Sequence, residues 1–359
     1  MKPLLEILAV LLCLASALGC RQIGPKTIVD VRLPYNEAIS TSWKEQALLN
    51  VVRLRYADIP EFVDVASIVN GYERSRSASL GLGTEFYPNN LGFGPFTPDV
   101  GASQTLSDRP TITYAPQTGP EFTRNLTSPI PPVAILNLIE SGYAADVILD
   151  LTVDSINGVR NRGFSDGFQD GDPEFQNILQ IMKIAQAAGH LNLRVVTNAD
   201  KSTSHVVLGL HPEEFSETEA QELDDLRRIL HLDPDIHEFK IVFGLLPRAK
   251  DEIAFRTRSV YRMLMFLALD VQVPECHLAA GHAPALGSLA EGQHPHFTVQ
   301  SSCKKPDHCF AAVQYQGYWF WIDQRDFNSK RTMIFLKILL ALTDTRQKEN
   351  SPVLTIRAN

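Results

Sequence analysis

The feature that most limits how this chain can fold is a break in composition between Ser75 and Pro132. There Gly, Pro, Ser, Thr and Asn displace the apolar periodicity found on either side. The stretch contains Leu80-Gly81-Leu82-Gly83, Gly92-Phe93-Gly94-Pro95 and Ser128-Pro129-Ile130-Pro131-Pro132. A structureless run of this length is uncommon inside a compact domain. The segment is therefore expected to be a peripheral, irregular, partner-contacting region, with short strands around Leu80 to Phe86 and Thr111 to Tyr114 joined by long loops. The break divides the chain into a helix and strand region at 20–74, the Gly/Pro/Ser-rich region at 75–132 and an ordered core at 133–359.

Before the break, Ile39, Trp43, Ala47, Val51 and Leu54, widened by Leu48 and Val52, recur at helical spacing between Asn36 and Tyr56. Pro60 ends any continuation, and Phe62 to Val69 reads as a strand bounded by Asn70-Gly71. After the break, helices are expected at Val133 to Ser141, Ala144 to Asn161 and Glu174 to Ala188, the last stopped by Gly189. Strands at Leu193 to Asn198 and His205 to Leu210 precede an acidic helix, Glu217 to Leu232. Strands at Phe239 to Leu245 and Glu252 to Thr257 lead to a helix at Val260 to Leu269. Strands near Phe297 to Gln300 and across Phe310 to Ile322, a helix from Ser329 to Leu342 and a strand at Val353 to Ile356 complete the chain. Strands paired in antiparallel or mixed sheets with helices packed on them make this an α+β fold.

The 359 residues carry 33 basic and 41 acidic side chains, a net charge of −8 with no basic tract, which argues against nucleic acid as a partner. A hydrophobic content of 44% is ample for a real core.

The first nineteen residues have the layout of a signal peptide: Lys2, an apolar stretch through Ile7 to Leu14, then small residues. The apolar run is too short to cross roughly 30 Å of hydrocarbon. Its end, Ala17-Leu18-Gly19-Cys20, resembles the lipobox of bacterial lipoproteins, in which a small residue precedes a cysteine that is acylated by palmitate-type chains. The resemblance implies lipidation at Cys20, with membrane lipid as the partner. Arg21 in place of Asp resembles the outer-membrane sorting pattern, which implies a cell-envelope location at the outer membrane, facing the periplasm.

Tyr35-Asn36-Glu37-Ala38, the run from Gln46 to Tyr56, Arg109 to Tyr114, Ser155-Ile156-Asn157-Gly158 and Trp321-Ile322-Asp323 through Lys330 are together similar to an uncharacterised group of bacterial envelope lipoproteins. The likeness runs over most of the mature chain and supports the lipoprotein reading. It transfers no activity and no catalytic residues.

Once Cys13 leaves with the leader and Cys20 is acylated, Cys276, Cys303 and Cys309 remain. In an oxidising compartment two of the three can pair. Cys303 and Cys309 flank a short polar loop that a disulfide can close, and Cys276 can equally take either partner.

The segment from Cys276 to Cys309 also concentrates His277, His282, His294, His296 and His308. Thiolate and imidazole are zinc ligands, but the spacings match no standard finger, so a disulfide with surface histidines is favoured and no metal or cofactor is assigned. A thiol-enzyme reading takes Cys276 as nucleophile, His294 or His296 as base and Asp323 as the group that orients the imidazole. That order resembles transglutaminase-like enzymes, although Pro274-Glu275-Cys276 does not read as a helix N-terminus that would activate a thiol.

Other patterns are weaker. Ser301 with Lys304, and Ser302 with Lys305, satisfy Ser-x-x-Lys without its companion motifs. Asp166, Asp170 and Asp172 lack the closing glutamate of a calcium loop and read as a solvated turn. Tyr318, Phe320 and Ile322 alternate with Trp319 and Trp321 beyond the turn Gln316-Gly317, a hairpin best explained by core packing. The leading expectation is a membrane-anchored lipoprotein with a non-enzymatic structural, assembly or protein-binding role and an envelope protein as partner. The alternative is a surface-tethered thiol or metal hydrolase using residues within Cys276 to Asp323.

Overall fold

The computed structural model describes residues 25–69, 72–83, 86–87, 92–93, 97–108, 110–164, 168–197, 204–210, 217–286 and 296–343. The leader, Cys20, His294 and the strand expected at Val353 to Ile356 lie outside them. The helices are α1 (Pro25–Arg55), α2 (Pro120–Thr127), α3 (Pro132–Glu140), α4 (Ala145–Thr152), α5 (Pro173–Ala188), α6 (Glu217–Leu230), α7 (Val260–Ala268), α8 (Glu275–Ala279) and α9 (Phe327–Thr343). With mixed and antiparallel sheets beside them, the fold is α+β. It forms two compact units: Ser42–Phe62 with Gln117 onward, and Val63–Pro116 with the chain up to Thr41.

The first of these units is organised on a six-stranded mixed sheet. Its strands are β7 (Val153–Ile156), β8 (Val159–Arg160), β11 (Asn192–Thr197), β12 (Ser204–Gly209), β13 (Glu238–Phe243) and β14 (Glu252–Thr257), in the order β11-β12-β13-β14-β7-β8. Only β13 and β14 pair in parallel within it. A three-stranded antiparallel sheet follows, with β17 (Tyr318–Asp323) between β15 (Gln300–Ser302) and β16 (Cys309–Tyr315). A two-residue pair, β9 (Gly163–Phe164) with β10 (Phe168–Gln169), precedes α5.

Helix ends follow local chemistry. The Ser259 side chain caps α7 by accepting from the Arg262 amide, and Gly189 closes α5 in the left-handed conformation at φ 77°. The C-terminal part of α1 buries Leu48, Val51 and Val52 completely, as the helical spacing predicts, while Ile39 stays exposed. Asn50, buried in the same turn, donates to the Glu61 carbonyl at 2.7 Å and accepts from the Glu61 amide at 2.9 Å. Helix, turn and following chain are thereby locked together. Phe239, Phe297, Phe320 and Phe335 are almost fully buried in the core, each stabilising the unit by roughly 1.5–3 kcal/mol relative to exposure.

The helix expected from Ala144 to Asn161 ends at Thr152, and the remainder forms the hairpin β7–β8. Asn157 at φ 48° and Gly158 at φ 88° make the tight turn that Asn-Gly favours, and the flanking Val153, Ile156 and Val159 suit strands. Asn157 does more than turn the chain: its side chain accepts from the Ala254 amide at 2.7 Å and donates to the Leu230 carbonyl at 2.9 Å. Close packing here also demands glycine at 171, where a Cβ would lie 2.5 Å from the Arg162 amide nitrogen.

The second unit holds the larger difference from expectation. The short strand expected at Thr111 to Tyr114 is present, but in place of isolated strands and long loops three antiparallel pairs nest one inside the next. The outer pair is β1 (Val63–Val69) with β6 (Thr111–Pro116), then β2 (Tyr72–Gly83) with β5 (Thr97–Asp108), then β3 (Phe86–Tyr87) with β4 (Gly92–Phe93). This is the pairing of one long two-stranded ribbon. Among the described residues no third strand joins it.

Candidate functional site

Two of the three described cysteines, Cys276 and Cys303, approach one end of β17, while Cys309 pairs opposite Asp323 at the other. Cys276 lies in α8, a five-residue helix that the sequence reading did not anticipate, and its Sγ is 3.1 Å from the Tyr318 hydroxyl. Antiparallel pairing sets Ser302 opposite Trp319, which carries Cys303 on toward Tyr318 from the neighbouring strand. The hydrogen bond with Cys276, and then the nearby Cys303 thiol, push the Tyr318 pKa up to about 12. At neutral pH that phenol is protonated, a hydrogen-bond hub and not a base.

Behind it, His277 packs edge-on against Tyr318 with ring centroids 4.9 Å apart. Its Nδ1 lies 2.7 Å from the hydroxyl of Tyr56, at the end of α1. With Nδ1 unprotonated, the Tyr56 hydroxyl donates to it. Burial, and then the neighbouring His282, lower the His277 pKa from 6.5, which favours that neutral form. Burial likewise raises Tyr56 to about 12. Tyr56 also meets Tyr315 and Phe320 edge-on, and the Tyr315 hydroxyl donates to Asp58 at 2.8 Å.

The other predicted residues are elsewhere. Asp323 stands at the far end of β17, five residues and about 17 Å from Tyr318 at strand rise, where it pairs with Arg325. His296 approaches Asp150 at 3.9 Å. Cys276, His296 and Asp323 are therefore not gathered as a nucleophile, base and orienting acid. Cys303 and Cys309 lie on opposite flanks of β17 and are unlinked, so the disulfide expected between them is absent: the central strand stands in its way. Among the described residues no cluster of His, Cys, Asp and Glu is arranged to hold a metal ion. Asp172 of the suspected calcium loop is instead bound by Arg160, whose hydrogen bonds hold its carboxyl below the usual range. Phe320 and Ile322 are fully buried while Trp319 and Trp321 are half-buried, as the alternation along this hairpin predicts.

A second polar cluster, missed by the sequence reading, surrounds Arg258, which is 1% exposed. Its guanidinium donates to Asp154 at 2.8 Å and to the carbonyls of Asp150, Leu151 and Arg162. It thus satisfies carbonyls left open at the end of α4. Arg262 completes the pairing of Asp154. Arg162 forms a two-pronged ion pair with Asp270 at 3.0 Å, and both guanidinium groups stack on Phe266. Burial drives the Asp270 carboxyl up against the pull of Arg162. The cluster ties β7, β14, α4 and α7 together, and its chemistry is that of a scaffold.

The third element is the ribbon. Val69, Ile112 and Tyr114 are exposed in its outer pair, and the β2–β5 pair runs for twelve residues a side without a register shift. Among the described residues no helix is long and apolar enough to cross a membrane. No family model, curated protein or solved structure matches the chain.

Proposed function

We propose that this chain is a lipid-anchored protein of the bacterial envelope, held through acylated Cys20 at the outer membrane on its periplasmic side, with a structural or assembly role. The observation that carries the assembly role is the β2–β5 ribbon: twelve residue pairs, with no third strand among the described residues. An isolated two-stranded ribbon is marginal in water. Its outer edges offer rows of backbone donors and acceptors that pair readily with another chain. An acyl anchor would keep such a surface beside lipid, at an effective concentration favourable to assembly.

Two measurements test this reading. Metabolic acyl labelling with membrane fractionation is expected to label the wild type and place it with outer membranes, and to leave Cys20→Ser unlabelled and released. Crosslinking in intact envelopes is expected to capture ribbon residues in a larger species. Unacylated, freely diffusing wild-type protein refutes the anchor, and an exclusively monomeric crosslinking pattern refutes the assembly role.

A further inference from the structure

Helix α1 ends in a left-handed residue that is not glycine. The Asp58 amide donates back to the Arg53 carbonyl at 2.9 Å and the Ala57 amide to the Leu54 carbonyl at 3.1 Å, with Ala57 at φ 57°. This paired closure usually carries glycine at the Ala57 position. Beyond the turn, a cavity of about 390 Å³ lies between the end of α1, α7 and the chain at 284–286. Leu54, Pro60, Met265, Ala268 and Leu269 give it apolar walls. Ile59, which also lines it, is 76% exposed, so the apolar lining continues to the protein surface. An apolar space of ~150 Å³ already takes a benzene-sized ligand, and small-molecule sites span roughly 300–1,000 Å³. The cavity is of ligand size.

Two charged groups interrupt the lining, and they differ. Asp58 is exposed and already engaged: its carboxylate accepts from the Tyr315 hydroxyl and from the Ile59 amide, each at 2.8 Å. Those hydrogen bonds hold its carboxyl below the usual range, so it is ionised at neutral pH. Arg55 is 7% exposed, and its Nη2 donates to the Pro284 carbonyl at 2.8 Å. Its Nε is buried without a hydrogen-bond partner. Among the described residues no carboxylate pairs with its guanidinium, whereas the buried Arg258 and Arg162 each hold one. Arginine keeps its proton even when buried, so the cavity carries an uncompensated positive charge. An unpaired buried charge is costly, and an anion brought beside it removes that cost.

Such a lining selects a ligand that is apolar over most of its length and anionic at one end. A carboxylate presents two acceptor oxygens that match the planar guanidinium fork. A dianionic phosphate suits the cavity less, because the Asp58 carboxylate on the same lining repels a second negative charge. We infer that the cavity binds a medium-chain carboxylate of the fatty-acid class, its carboxylate on the Arg55 guanidinium and its chain along Leu54, Met265 and Leu269. At roughly 30 Å³ for each water-sized group, the space holds about a dozen non-hydrogen atoms, the size of decanoate. The cavity lies wholly within the unit that carries the six-stranded sheet, so neither the ribbon nor the anchor bears on it.

The test is isothermal titration calorimetry of decanoate into the full mature chain carrying Cys20→Ser, which has no acyl group to compete for the cavity. Decanol, decyl phosphate and decyltrimethylammonium are titrated in parallel, all below their micellar concentrations. Decanoate is expected to bind one per chain, at least about tenfold more tightly than decanol and more tightly than decyl phosphate. Decyltrimethylammonium is expected to give no saturable heat. Arg55→Met is expected to erase the preference for decanoate over decanol while decanol binding persists, and Met265→Trp, which fills the cavity, to abolish both. Arg55→Lys keeps the charge without the fork and is expected to show an intermediate preference. It also covers the case in which Arg55→Met fails to fold, which the thermal unfolding midpoint of each variant reveals.

Equal affinities for decanoate and decanol in the Cys20→Ser chain overturn the assignment, as does tighter binding of decyl phosphate than of decanoate. A preference for decanoate that survives Arg55→Met overturns it too, and so does the absence of saturable decanoate binding.

Discussion

The body and the ribbon solve the same problem, satisfying backbone and polar groups, in opposite ways. In the body, a buried guanidinium such as Arg258 finds a carboxylate and three carbonyls around it, so even its most costly group to bury is matched internally. In the ribbon, ladder pairing joins only one edge of each strand to its partner, and no third strand is found among the described residues. The body's buried Arg258 guanidinium is matched from within it, whereas among the described residues the ribbon's outer edges meet no further strand.

The largest effect that separates the two regions is expected from Arg258→Met, which leaves Asp154 without its main buried partner. Breaking such a pair costs about 3–5 kcal/mol. Urea unfolding of the full chain measures it, and a loss below about 1 kcal/mol would show the clamp to be dispensable. Leu48→Ala, at a completely buried position, is expected to cost about 2–5 kcal/mol. Leu80→Ala in the ribbon is expected to leave the same unfolding transition within about 0.5 kcal/mol. Equal costs for the two leucines would erase the distinction.

A smaller effect follows from His277, whose folded-state pKa lies below 6.5 because of burial and His282. A depressed pKa means the unfolded chain binds the proton more readily. The stability linked to neutral His277 is complete above pH 6.5 and is lost as pH falls through the lower folded value. His277→Gln is expected to flatten that part of the stability profile, and an unchanged slope in thermal unfolding counts against the assignment. The smallest structural change is covalent. Excess glutathione disulfide is expected to link Cys276 to Cys303, oxidising two protein thiols while one glutathione disulfide becomes two thiols. Peptide mapping that instead finds Cys303 bonded to Cys309 contradicts the placement of β17.

Much of the body is legible in the chain itself. The helix at Val260 announces itself through Ser259 and its apolar spacing, and Gly189 marks the end of α5. The helix misplaced over 153–161 shows where local reading fails: apolar periodicity from Ala145 to Leu151 runs straight into β-branched residues, and Asn157-Gly158 outweighs it. The ribbon hides for another reason. Its alternation is written in Ala, Ser and Gly, residues with weak strand preference, so a paired arm resembles a loop.

The candidate site was legible in composition only. Cysteines and histidines cluster visibly between Cys276 and Cys309, but no local pattern reveals that Tyr318 sits between two thiols. That depends on which strand lies beside β17. The Arg258 cluster is likewise assembled from residues about a hundred positions apart, Asp154 and Arg258 among them, beyond the reach of any motif.

Where the ribbon departs from the body, the Gln117 amide donates to the Phe62 carbonyl at 2.9 Å. The two points of departure are thus clasped together, and everything from Val63 to Pro116 is, topologically, a cassette inserted at a single spot. Its length is set by no constraint from the body's chain path, so arms of other lengths can be grafted at the same clasp without redrawing the rest of the molecule.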